Sequence, residues 1–411
     1  MGEYRDASAT EAGQPSALIL GLNAGSSSLK AALYAERGVL QHELSILIEA
    51  IGLPTARMTV KDADGVTLAD ERKLIPNHAA ATTALLTWLR ETRTIAEIHA
   101  IGHRIVHGGP DHTHPEIITP DVLAALHDMI PLARTHLPDE IAIIEAAMRA
   151  MPRALQVACF DTAFHRSMPR VAQQYALPRS ITEGGILRYG FHGLSYEYIV
   201  RQLEREAGPE AASGRVIAAH LGNGASMAAI HNRLSRDTTM GFTPIGGLVM
   251  STRSGDLDPG LMLYLLRERG MSVDEIDVAV RVKGGLLGVS QTSPDMRDLL
   301  AQEQDDDLAA GAVALFCYHA RKSLASLAAV LGGVDTVVFT GGIGEHASEV
   351  RWRICENLRF LGIELDRKRN DQHAPVISAD GSPATVRVIQ TNEEYMIALH
   401  TAEILRTPPT R

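Results

Sequence analysis

Short apolar runs that end in glycine-rich turns recur along the chain, and stretches of helical periodicity fill the intervals between them. The first run, ALILGLN, is followed by the turn GSSS and the run LKAALY, which predicts strand, turn and strand over Ala17–Tyr34. Much later, RVIAAHLGNG predicts a strand entering a glycine turn, and SMAAIH leaves it. Laid together without a gap, GSSSLKAAL (Gly25–Leu33) and GNGASMAAI (Gly222–Ile230) share the first glycine, small residues through the turn and an Ala-Ala-aliphatic exit. The offset is 222 − 25 = 197 residues, about half of 411. Two readings stand side by side: a chance likeness between glycine-rich hairpins, or an internal duplication with two related domains.

Helices are predicted over Ala79–Arg93, Val122–Ile130, Glu140–Met151, Ser195–Ala207 and Leu308–Leu331, the last closed by Gly332-Gly333. VDTVVFT then reads as a buried strand, GGIGEH as a turn, and Ser348–Leu361 as a helix. A last strand, Thr385–Gln390, precedes a helix whose start carries capping-box spacing from Thr391 to Glu394. This alternation defines an α/β protein. We expect a tail over 1–16, a first domain over 17–160 joined by 395–411, and a second over 161–394, with the closing TPPTR loose.

Composition narrows the function. The chain has 45% hydrophobic and 21% charged residues, ordinary for a globular protein. A net charge of −10 and 4% aromatics argue against nucleic-acid binding, by phosphate contacts or by base stacking. No apolar run suggests a membrane span. Three scattered cysteines, Cys159, Cys317 and Cys355, fit a reducing compartment, so a cytoplasmic protein is expected.

The candidate chemistry clusters at glycine turns. Asn23 to Lys30 offers backbone N–H groups, hydroxyls and one charge to a phosphate, although it is not a P-loop. His220, Leu221, Gly222, Asn223 and Gly224 make a second cradle, and Gly342, Ile343, Gly344, Glu345 and His346 a third, between strand and helix. Gly342, Gly344 and Ala347 also fit a relaxed dinucleotide fingerprint, with Glu364 about 20 residues on, but too little chain follows to complete such a domain. Arg104 and Arg253 stand beside glycine turns, where a guanidinium can clamp phosphate or carboxylate; a surface ion pair is the alternative for each. Asp161 ends an apolar strand, His192 sits in a glycine bend, and Glu393 opens the last helix; each has a plain structural alternative as cap, bend residue or macrodipole charge. The histidines at 103, 107, 112, 114 and 136 lack any zinc-ligand spacing.

Together and in this order, the segments NAGSSSLK, GHRIVHGG, FDTAFH, RYGFHG, AHLGNGAS, DTTMGFTP, TRSGDLDPG, FTGGIGE and TNEEYMIA closely resemble the acetate kinase family, which includes acetate and propionate kinases. The resemblance spans 18–400 and implies two duplicated actin-like ATPase (ribonuclease H-like) domains around a nucleotide cleft. It implies a homodimer that uses magnesium, with manganese as a substitute, and transfers phosphoryl reversibly between ATP and acetate or another short-chain carboxylate. By resemblance, Asn23 and Glu393 belong to the metal site and Lys30 to ATP. Arg104 holds substrate and, with Asp161, His192 and Arg253, is catalytic. His220 to Gly224, Asp295, Met296 and Arg297, and Gly342 to His346 bind nucleotide, while Val106, Phe191 and Pro244 line the acyl pocket. Departures from the family pattern include Thr135 for an acyl-pocket leucine, Leu137, Leu187, Gly246, Met296 near the adenine and His346 after GIGE. A propionate kinase of the same family, and a non-catalytic nucleotide-binding protein of the actin-like superfamily, are the competing readings.

Overall fold

A computed structural model describes residues 17–92 and 98–407; the expected tail 1–16, residues 408–411 and Arg93 lie outside the described residues. β1 (Ala17–Ala24) and β2 (Leu29–Glu36) form the first hairpin, and β3 (Leu40–Glu49), β4 (Arg57–Asp62) and β5 (Thr67–Arg72) extend it as an antiparallel meander. β6 (Ile98–Ile105) joins the other edge of β1 in parallel, and β8 (Leu155–Phe160) joins β6 in parallel, with the short β7 (Glu116–Ile117) at the margin. The second sheet repeats the plan. β9 (Val216–Leu221), β10 (Ala225–His231) and β11 (Leu234–Thr238) are antiparallel, and β12 (Thr336–Thr340) and β13 (Thr385–Val388) follow in parallel. The order β3-β2-β1-β6-β8 of one sheet thus matches β11-β10-β9-β12-β13 of the other, strand for strand and direction for direction. This is the duplication that the hairpins suggested.

The gap-free hairpin alignment needs a correction of one residue. The last pair before the first turn is Ala24 with Leu29, and before the second it is Leu221 with Ala225. The first turn therefore holds four residues and the second three, and Lys30, opposite Asn23, corresponds to Ser226, opposite His220. Composition alone aligned the exits because both are Ala-rich, and pairing register is invisible to it.

β1 and β12 are buried along their whole length, as strands covered on both faces must be. Helices His78–Glu91 and Leu137–Ala150 contribute to the core over one face of the first sheet. The helix Glu393–Arg406 covers the other face, and two glycines set its distance: a Cβ on Gly102 would lie 2.2 Å from Thr401 Oγ1 and 2.6 Å from Ile397 Cγ2, and one on Gly21 3.0 Å from the Glu394 carbonyl. On the second sheet, Asp307–Leu331 packs on one face and Gly193–Ser213 on the other. The former is capped by Asp306, which accepts from the Leu308 N–H, and closed by Gly332 in the left-handed region.

Three local expectations change. The last helix is capped by Asn392, whose side chain accepts from the Tyr395 N–H, because the Thr391 hydroxyl is held by Ser195 and the Glu394 carboxylate by Asn23. The GGIGEH turn is itself a helical turn, Gly341–His346, made possible by Gly341 at φ +76°, and the helix after it ends at Cys355. The strands β3 to β5 were not anticipated, although β4 alternates exposed and buried positions as a half-covered strand does. Among the described residues no helix is long and apolar enough to cross a membrane.

Candidate active site

The two hairpin turns and the Gly341–His346 turn surround one cavity of about 730 Å³. A smaller one of about 270 Å³ adjoins it and shares His136 and Arg253 as walls. A further hollow of about 740 Å³ lies over β2 to β5, but of the predicted site residues only Lys30 borders it.

The first-domain wall is built around Arg104, which points from the end of β6. One Nη donates to the Ala24 carbonyl at 3.3 Å, the other to Asp161 Oδ2 at 2.8 Å, and Glu140 lies 4.0 Å away. Burial opposes its charge, but Asp161, Glu393 and Glu140 outweigh burial and raise its pKa. Asp161 is fully buried at the end of β8; its Oδ2 also accepts the His192 N–H at 2.8 Å, and its Oδ1 has no hydrogen-bond partner among the described residues. Burial lifts the Glu140 carboxyl to about 7, against the pull of Arg104 and a hydrogen bond from the Val106 N–H. Sequence reasoning missed Glu140, since an acidic residue in a helix's first turn looks like a macrodipole charge. Asn23 Nδ2 donates to Glu393 at 2.8 Å and to Glu394 at 2.9 Å, so the last helix delivers two carboxylates to the first hairpin. Glu394, like Glu140, was not anticipated. Lys30 and the serines 26–28 complete this wall.

The second-domain wall carries His192, His220, Gly222, Asn223, Gly224 and Arg253. His192 adopts the left-handed conformation at φ +59°, and the Asp161 carboxylate that receives its N–H holds it there. Its ring stacks on His220, with centroids 4.2 Å apart. Burial, with His220, Arg104 and Arg253, holds the His192 pKa well below its ordinary value, and burial also lowers His220 despite Glu393 and Asp161. Both imidazoles are therefore neutral at pH 7. Arg253 donates to the Pro244 carbonyl at 2.7 Å and has no carboxylate partner among the described residues. Burial, then Arg104 and Arg281, bring its pKa down to about 10. An unpaired, partly desolvated guanidinium lining a cavity is poised for an anion.

Gly342, Ile343, Glu345 and His346 line the far end, with Asp295, Met296 and Arg297 beside them. Glu345 Oε1 accepts the Gly341 N–H at 2.9 Å and the Thr391 N–H at 3.2 Å, which ties the turn to the last helix. Asp295 caps the helix Met296–Gln302 and pairs with Arg297. Six predicted residues do not line this cavity. Pro244 lines the smaller one, while Asp161, Leu221 and Gly344 lie directly behind the walls. Val106 and Phe191 are 2% and 1% exposed, packed in the core behind the site and lining neither cavity.

Two sheets of one topology, with glycine turns and the guanidinium groups of Arg104 and Arg253 facing one cavity, are the architecture of a phosphotransferase of the actin-like ATPase fold. The Acetokinase family profile matches residues 18–399. A protein named acetate kinase from Methylocella silvestris is 48% identical over 400 residues, covering 94% of this chain and 98% of that protein. One of the same name from Rhodopseudomonas palustris is 47% identical, covering 93% and 97%. Among solved structures, Porphyromonas gingivalis acetate kinase superposes with a TM-score of 0.84 at 37% identity, covering 95% of this chain and all of that one. A propionate kinase from Francisella tularensis superposes with a TM-score of 0.87 at 36% identity, covering 94% and 99%. The chain belongs to the acetokinase family, whose reaction is phosphoryl transfer to a carboxyl group.

Proposed function

We propose that the protein is an acetate kinase that transfers the γ-phosphoryl of ATP reversibly to acetate, giving acetyl phosphate and ADP. The observation that carries this reading is the convergence of Arg104, Arg253 and a neutral His192 on the cavity that the glycine turns enclose. Acetate is ionised at pH 7, since an ordinary carboxyl titrates near pH 4, so no general base is needed. The site has to hold two anions in line and neutralise the migrating group. Arg104, braced by Asp161 and the Ala24 carbonyl, grips the carboxylate. Arg253 and His192 face the equatorial phosphoryl oxygens. Asp161 acts through Arg104 and His192 and abstracts no proton. Lys30 and the three glycine segments hold the nucleotide, with Met296 and Arg297 at its base end.

The donor set suits magnesium, and manganese equally. Asn23, Glu393 and Glu394 offer hard oxygen donors at the cavity wall. Among the described residues no three His, Cys, Asp or Glu side chains form a metal cage, so the ion would arrive with the nucleotide phosphates. When bound it would neutralise phosphate charge.

Pro244 and Thr135 line the smaller cavity, where we place the acyl group. Its polar threonine and the likeness to a propionate kinase keep propionate as the second reading. We divide the chain at 160/161, with 395–407 returning to the first domain. We assign the protein to the cytoplasm, in keeping with three free, buried thiols. We also propose a homodimer formed through the helix Pro259–Arg267. Its sequence, PGLMLYLLR, is apolar around its circumference, yet none of its residues is buried.

One assay tests the activity: purified protein, magnesium-ATP and a panel of acetate, propionate and butyrate, with hydroxylamine trapping the acyl phosphate. Acetyl hydroxamate, with kcat/KM highest for acetate, is expected. No trapped product from any carboxylate would overturn the kinase reading, and a preference for propionate would replace the substrate.

A further inference from the structure

Behind His192 a line of polar groups runs into the protein, away from the cleft. His192 Nδ1 lies 2.8 Å from Ser226 Oγ, and Ser226 Oγ lies 2.5 Å from the Tyr196 hydroxyl. Both partners are fully buried. Ser226 occupies the place in the second hairpin that Lys30 holds in the first. A serine hydroxyl has one proton to give, so the direction of this relay fixes the state of the imidazole.

Tyr196 decides the direction. Among the described residues Ser226 Oγ is the only hydrogen-bond partner of its buried hydroxyl, so a protonated phenol has nowhere else to place its proton. Burial raises its pKa and keeps the phenol protonated. Its own proton therefore goes to Ser226, and Ser226 gives its proton to His192 Nδ1. An imidazole that accepts at Nδ1 carries its single proton at Nε2. Nε2 is the nitrogen beside the cleft: a Cβ added at Gly224 would sit 3.3 Å from it and 3.1 Å from Arg253 Nη2.

We infer that Tyr196 and Ser226 are positioning residues that lock His192 in the Nε2–H tautomer, so that it presents a neutral donor next to the Arg253 guanidinium. Without the relay the one proton would be shared between the two nitrogens. The Nδ1–H form would then turn a lone pair toward an anionic oxygen, which repels where the other form binds. Asp161 fixes the His192 main chain, and Ser226 fixes its ring. The inference rests on the reading of His192 as a phosphoryl-facing group.

The test combines imidazole ¹⁵N shifts of the full-length protein with steady-state kinetics. Ser226→Ala and Tyr196→Phe each remove a single oxygen, and an unchanged KM for ATP reports an intact cleft. The wild type is expected to show His192 protonated at Nε2. Ser226→Ala should mix the tautomers and lower kcat roughly 10-fold, the scale of one hydrogen bond, with KM held. Tyr196→Phe should act in the same direction but more weakly. A wild-type Nδ1–H tautomer, an unmoved tautomer in Ser226→Ala, or a moved tautomer with unchanged kcat would each overturn the inference. His192→Ala is the separate arm: a near-normal kcat there removes the phosphoryl-facing role of His192, while the wild-type shifts still judge the relay.

Discussion

At the scale of single residues, the site is distinguished by what Arg253 lacks. Arg104 is braced by Asp161 and flanked by Glu140, whereas among the described residues Arg253 is anchored by a carbonyl and has no carboxylate partner. Its replacement should therefore affect the transition state more than the fold. We expect Arg253→Ala to lower kcat by about 10²–10³-fold, the effect of losing a transition-state donor, with an unchanged unfolding midpoint. A folded variant with near-normal kcat would refute the assignment. That Arg104, Arg253, His192 and Asn23 meet at one cavity was legible in the sequence because their motifs are long and stand beside glycine turns. Ser226, Tyr196 and Glu140 were not: a serine in an Ala-rich strand, a tyrosine in an amphipathic helix and a glutamate in a first turn each have an ordinary local explanation. Their importance comes from neighbours brought close only by folding.

At the scale of elements, the glycines that look catalytic have two different duties. Those of the turns open the cavity, but Gly102, inside the GHRIVHGG segment, lets the last helix approach β6. A methyl group there meets Thr401 and Ile397 in a packed interface. Gly102→Ala should cost about 1–3 kcal/mol, the price of overpacking, seen as a lower urea midpoint; an unchanged midpoint would show that the helix can shift freely. The same helix is tied to Gly193–Ser213 by His400, which lies 2.9 Å from Glu197 and 3.5 Å from Glu403. Burial opposes the imidazolium, but these two carboxylates prevail and raise its pKa to about 9. Its folded pKa exceeds the ordinary 6.5, so its stabilisation is full below pH 6.5 and is lost as pH rises through about 9. Urea midpoints at pH 6 and pH 10 should therefore differ more in the wild type than in His400→Gln; equal differences would exclude the linkage. The strand-turn-strand repeat was legible as composition, whereas its one-residue difference in register was not, because only pairing distinguishes a four-residue turn from a three-residue one.

At the scale of the whole molecule, duplication explains the cleft: two sheets of one topology present equivalent turns to a shared cavity. The apolar helix Pro259–Arg267 stands outside this plan. Tyr264 is 50% exposed and Leu263 48%. A charge placed there, Leu263→Glu, should convert a dimer into a monomer in analytical ultracentrifugation while the monomer's fold persists. A wild type that sediments as a monomer at micromolar concentration would end the dimer proposal. The adjoining helix Val273–Arg281 lends Val273, Asp274, Asp277 and Arg281 to the smaller cavity.

The bond from Asn23 to Glu393 joins residues 370 positions apart. During synthesis, β1 and its turn are made near the start, but the helix that covers them and brings both carboxylates emerges only after both sheets. Until then, one apolar face of the first sheet stays uncovered and Asn23 has neither acidic partner. A nascent chain can thus complete its second sheet before the first is covered. A chain cut before Glu393 would be left with an open sheet to aggregate through and no partial activity.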